Sequence, residues 1–108
     1  MNSPRRPILH LVSQAHLDPV WLWPLRDGVA EALTTCQSAV DRLSETPSFR
    51  FTRSSAAAYR CVRDFDPRLF SEIQKAVADG RWEIVGGWVE QPDCNMPSAE
   101  SFLRQAEC

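Results

Sequence analysis

The stretch Pro7–Pro24, PILHLVSQAHLDPVWLWP, decides how this chain is read. From Pro7 to Ser13 nearly every residue is apolar, and the run ends at the polar pair Ser13-Gln14. A half-buried strand alternates apolar and polar residues. A run this uniform suits a parallel strand covered on both faces. His10 sits inside it, and among apolar neighbours it reads as a core histidine with a satisfied hydrogen bond. Residues 14 to 24 then read as a loop, because Pro19 and Pro24 block an early helix.

Outward from that stretch, Leu25, Val29, Ala32, Leu33, Cys36, Val40 and Leu43 recur at three- and four-residue steps. This apolar stripe predicts an amphipathic helix from about Leu25 to Ser44, with Gly28 weakening its start. SFRFTRS, Ser48 to Ser54, alternates and reads as a second strand. Ser54 or Ser55 is the candidate cap of a helix through AAAYRCVRDF. Asp66-Pro67 starts the next helix, with Asp66 as N-cap, Pro67 at the first helical position and a Phe65–Phe70 staple. Leu69, Phe70, Ile73 and Val77 form its apolar face, and Gly80 is its expected C′ residue. RWEIVGG, Arg81 to Gly87, is a third strand, and WVEQPDCNMP a polar loop. Ser98 caps a last helix, with Glu100 in the favourable first turn.

Strands alternating with helices imply a parallel sheet with right-handed crossovers. Three strands are few for such a sheet, so the chain reads as the first part of a larger α/β domain. Its 108 residues allow one domain at most. The net charge of −2 leaves no electrostatic footprint for nucleic acid or an anionic membrane. No run approaches the ~20 apolar residues that would span a bilayer. Arg5 and Arg6 precede an apolar run too short for a secretory leader, so the expected location is cytoplasmic. Cys36, Cys61, Cys94 and Cys108 form no CxxC pair and read as reduced thiols, the first two on helix faces.

In parallel α/β architectures ligands bind at the carboxyl ends of the strands. His16 and Asp18 follow the first strand. Trp88, Glu90, Asp93 and Asn95 follow the third. Two polar clusters therefore fall at one rim. An imidazole and a carboxylate one residue apart can reach a single Zn²⁺ if the loop turns between them, and a further ligand must come from elsewhere. His-x-Asp alone is common, and its place past a strand end gives it weight. Trp21 is either core or a flat face for the C–H side of a sugar ring. Trp82, in a strand, reads as core, and Gly86-Gly87 lets the backbone bend. Glu90 and Asp93 could form an acid/base pair. The simpler reading is a solvated loop with Asp93 or Asn95 in turn hydrogen bonds.

HLDPVWLWP resembles the first-strand motif of the family-38 glycoside hydrolases, the zinc-dependent α-mannosidases. FTRSSAAAYRCVRDFDPRLFSEIQKAVADGRWEIVGGWVEQPDCNMPSAESFLRQ continues the likeness in the same order, so that it covers about residues 8 to 105. The bacterial and cytosolic branch is the better match. The resemblance implies an α/β fold, the N-terminal portion (about three parallel strands with intervening helices) of a seven-stranded (β/α) barrel. It implies a retaining glycosidase acting on mannose-containing glycosides, with His16 and Asp18 as the zinc-binding pair and Trp21 stacking near the scissile sugar. The family's nucleophile belongs to a motif after the next strand. The acid/base residue and the remaining zinc ligands are also unmatched, and Ala99 stands where glycine is common. Residues 1–108 are therefore expected to be a truncated N-terminal segment, inactive alone. The alternatives are a non-catalytic sugar- or zinc-binding fragment and another metal-dependent α/β-barrel hydrolase. The latter often carries His-x-His or paired aspartates where this chain has His16-Leu17-Asp18.

Overall fold

The longest apolar stripe becomes the longest element. A computed structural model describes residues 6–106, so Arg5 and Cys108 lie outside the described residues. Helix α1, Leu25–Glu45, buries Gly28, Ala32, Cys36, Ala39 and Leu43 along one side. Before it comes β1, Ser13–Gln14, and after it β2, Phe51–Arg53. Helices α2, Ala56–Phe65, and α3, Pro67–Ala78, lead to β3, Trp82–Ile84, and α4, Ala99–Ala106, follows. The sheet order is β1-β2-β3 and both pairings are parallel, with Ser13 opposite Phe51 and Phe51 opposite Trp82. Helices α1, α2 and α3 pack against one another as one layer on this sheet. Among the described residues, no helix is long and apolar enough to cross a membrane.

The core lies between that layer and the sheet. Trp82 is its centre, 1% exposed. Its ring meets Phe51 edge-on at 4.6 Å, and its indole N–H donates to the Tyr59 hydroxyl at 2.9 Å. Tyr59 in turn donates to the Arg53 main-chain carbonyl at 3.1 Å. One indole thus links β3, α2 and β2. Arg81 Nη1 donates to the Leu43 carbonyl at 2.7 Å, tying the start of β3 to the last turn of α1.

The helix punctuation follows the sequence in three places. Asp66 Oδ1 accepts the Leu69 N–H at 2.9 Å, with Pro67 first in the helix. Gly80, φ +67°, ends α3 in a Schellman motif: its N–H bonds the Val77 carbonyl and that of Arg81 bonds Ala76. Ser98 Oγ accepts the Ser101 N–H at 3.3 Å. Other expectations fail. Phe65 stays 67% exposed, so no staple buries it. Ser55 precedes α2 without a side-chain cap. The first amides of that helix are satisfied from outside it, Ala56 N–H by the Trp88 carbonyl and Ala57 N–H by Val89.

The first strand is the main correction. A strand buried on both faces was expected over residues 7 to 13, yet the ladder holds only Ser13 and Gln14. Ile8 and Leu9 are each 80% exposed, and His10 is exposed too, so it is no core histidine. The reason is supply of neighbours. Among the described residues β1 pairs on one edge only, with β2, and β2 itself begins at Phe51.

Two acids, Cys36 in the core and Tyr59 packed against it, link stability to pH. Burial pushes the Cys36 thiol above its ordinary 9.0, against a smaller downward pull from the Arg53 guanidinium. Burial also raises the Tyr59 phenol above its ordinary 10.0, opposed by the hydrogen bond from Trp82. Each folded-state value exceeds the unfolded one, so the unfolded chain gives up these protons first. Stability is therefore full below pH 9.0 and falls as pH rises through the thiol and then the phenol range. Thermal unfolding against pH is expected to show this loss. Cys36→Ala is expected to remove its lower-pH part and leave the part due to Tyr59.

Candidate active-site groove

The three strands point their carboxyl ends at one groove. It has a volume of about 660 Å³ and takes His16, Asp18 and Trp21 from the loop after β1. Ser54 and Ser55 line it after β2, and Gly86, Gly87, Trp88 and Asp93 after β3. The two polar clusters thus share one rim, as the strand order requires.

His16 Nε2 lies 3.1 Å from Asp18 Oδ1, and the side chains are 56% and 52% exposed. With metal–ligand bonds of about 2.0–2.2 Å, two adjacent ligand atoms on one cation sit roughly 3.0–3.5 Å apart. The pair therefore has the spacing of neighbouring metal ligands as well as of a hydrogen bond. Fit extends to these two donors only. Among the described residues no group of three His, Cys, Asp or Glu could hold a metal ion. The remaining ligands have to be supplied from elsewhere.

The loop that carries the pair is held from two sides. The Trp23 indole N–H donates to the Asp18 carbonyl at 3.1 Å. On the other side Pro19 rests on the first turn of α1 at Gly28, where a Cβ would come within 2.0 Å of the Pro19 carbonyl oxygen. Alanine at an ordinary helical glycine gains up to about 1 kcal/mol. Here the sign reverses. Gly28→Ala must displace the backbone beside Asp18 and is expected to cost about 1–3 kcal/mol, read as a lowered urea midpoint. A raised midpoint would contradict the contact.

Trp21 is 68% exposed and faces the groove, so the core alternative for it fails. Trp88 packs edge-on against Phe102 at 6.1 Å, which anchors α4 below the loop. Asp93 Oδ1 accepts the N–H groups of Asn95 and Met96 at 2.7 and 3.1 Å, the turn read from the sequence. Glu90 Oε1 accepts from the Ser55 hydroxyl at 2.7 Å and from the Gln91 N–H at 2.9 Å. The Glu90 N–H donates to Gln105 Oε1 at 2.8 Å. Glu90 is thus a brace between the β2–α2 turn, the loop and α4. Ser55 holds its end of the brace at φ +73°, a conformation uncommon outside glycine.

Residues 7–107 match the family model described as the glycosyl hydrolases family 38 N-terminal domain. The chain belongs to glycoside hydrolase family 38. Within the family it is 35% identical to human alpha-mannosidase 2C1 over 98 residues, 90% of this chain and 9% of the relative. It is 33% identical to alpha-mannosidase G of Dictyostelium discoideum over 105 residues, 96% of this chain and 10% of the relative. The crystal structure of an alpha-mannosidase from Enterococcus faecalis V583 superposes with a TM-score of 0.78 at 23% identity, over 88% of this chain and 11% of that one. That likeness is one of fold and agrees with an N-terminal α/β portion. The family 38 chain spans about a tenth of the length of these curated relatives.

Arg53 went unnoticed in the sequence although a signal was present. In SFRFTRS it falls in phase with Phe49 and Phe51, on the apolar side of the alternation. A charge at that register is out of place on a strand, and Arg53 is indeed 2% exposed.

Proposed function

We propose that this chain forms the metal-holding wall of a zinc-dependent, retaining α-mannosidase acting on terminal α-mannosides. The observation that carries the reading is the convergence of His16 and Asp18 to 3.1 Å in the groove at the strands' carboxyl ends. His16 Nε2 and Asp18 Oδ1 would hold Zn²⁺. The bound ion would supply a Lewis acid for adjacent sugar hydroxyls. Trp21 offers an exposed aromatic face suited to the C–H side of a sugar ring. The nucleophile and acid/base carboxylates of such chemistry are assigned to no residue here. Asp93 Oδ1 and Glu90 Oε1 act as structural acceptors for main-chain and Ser55 donors, and with no nucleophile assigned the chain by itself should turn over no mannoside. Unpaired thiols at Cys36, Cys61 and Cys94 fit a cytoplasmic setting.

Zinc titration by calorimetry tests the reading. A full-length polypeptide containing this chain, which supplies the remaining ligands, is expected to bind one equivalent saturably. The same polypeptide should hydrolyse an aryl α-mannoside with retention of the anomeric configuration, read by NMR of the first-formed sugar. Absence of saturable zinc binding removes the metal assignment, and inversion removes the retaining one.

A further inference from the structure

Among the described residues Arg53 is the one buried charged residue. No ion pair found among them includes it. Its Nε is buried without a hydrogen-bond partner among the described residues. A buried guanidinium with no counter-charge costs stability, and an apolar side chain of similar volume commonly does as well or better. Stability therefore does not account for arginine at this position. Its one side-chain hydrogen bond among the described residues does. Nη1 donates to the Ala15 carbonyl at 3.2 Å.

That carbonyl lies where the sheet gives out. The β1–β2 ladder pairs Ser13 and Gln14 and then stops. Thr52 Oγ1 reaches the Ser13 carbonyl at 3.4 Å, and Arg53 reaches the next carbonyl on that side, Ala15. The Ala15 carbonyl and the His16 nitrogen share one rigid peptide plane. Fixing the first sets the direction in which the His16 side chain leaves the backbone. A cavity of about 80 Å³ beside it, lined in part by Ala15, His16, Arg53 and Glu90, gives this peptide room to turn when it is not held.

We propose that Arg53 is a positioning residue for the His16–Asp18 pair, clamping the Ala15–His16 peptide so that the imidazole stays beside the carboxylate. The role in metal binding rests on the zinc reading above, while the clamp itself does not. In a full-length polypeptide containing this chain, Arg53→Met is expected to keep the helical circular dichroism, because the volume is filled and a desolvated charge is removed. In the metal-free protein its His16 ring ¹⁵N and ¹H resonances should move away from wild type. Its zinc Kd should rise about 10–100-fold, the usual effect of losing a group that orients a ligand. Arg53→Lys, with one flexible donor in place of a rigid plane, should fall between, losing about tenfold.

A folded Arg53→Met protein with wild-type His16 resonances and wild-type zinc affinity overturns the proposal. Where that variant fails to fold, Arg53→Lys decides in the same way: identity with wild type in both measurements overturns the clamp. Wild-type protein that binds no zinc defeats the metal reading instead, and the metal-free resonances still judge the clamp.

Discussion

Trp82→Ala is expected to destabilise the chain by about 3–5 kcal/mol, the range for deleting a buried aromatic side chain. That is much of the roughly 5–15 kcal/mol that holds a typical domain together. The argument is local. Trp82 fills the space under Phe51 and Tyr59, and nothing nearby can swing in to replace an indole. Its loss also frees the Tyr59 hydroxyl from its donor and weakens the link to the Arg53 carbonyl. Trp82→Phe should cost less, because a ring remains against Phe51 and only the N–H donor and part of the volume are gone. Urea denaturation followed by circular dichroism checks both. A loss below about 1 kcal/mol for the alanine variant, the size of an average substitution, would mean the core does not turn on this residue.

In a full-length polypeptide containing this chain, His16→Ala is expected to abolish measurable zinc binding. Removing a group that merely orients a ligand costs about 10–100-fold in affinity, and removing the ligand itself should exceed that. The fold should not notice. His16 is more than half exposed and its one side-chain hydrogen bond is to Asp18, itself half exposed. Surface changes of this kind stay within about 0.5 kcal/mol. The two measurements therefore separate cleanly: zinc calorimetry falls to baseline while the urea midpoint holds. In a full-length polypeptide the same substitution should remove most α-mannoside turnover. Unchanged zinc stoichiometry would take His16 out of the site.

Much of the fold is legible because its signals are local. The apolar stripe of α1, the Asp66-Pro67 start of α3 and the Gly80 stop each depend on residues within a few positions of one another. The placing of His16 and Asp18 beside Trp88 and Asp93 follows from strand order alone, since parallel strands bring their carboxyl ends to one side. What sequence does not reveal is set by distant partners. The length of β1 depends on what lies along its edge, so the apolar run at Ile8–Val12 overstates it. Ser55 looks like a cap, but the start of α2 is served by carbonyls of Trp88 and Val89, more than thirty residues on. That arrangement releases the Ser55 hydroxyl for Glu90. Arg53 is the instructive case. Its phase with Phe49 and Phe51 holds the sign of an inward-facing residue, yet nothing local says that its guanidinium ends at the Ala15 carbonyl.

The bare run from Ile8 to Val12 carries a hazard of its own. Five residues rich in branched apolar side chains, without charge or proline, match the windows that seed cross-β stacking. Residues just upstream blunt that tendency. Pro7 lacks the amide hydrogen a stacking neighbour would need, and Arg6 repels its own copy in a register of like on like. Their placement matches that of the gatekeepers that flank adhesive hydrophobic segments.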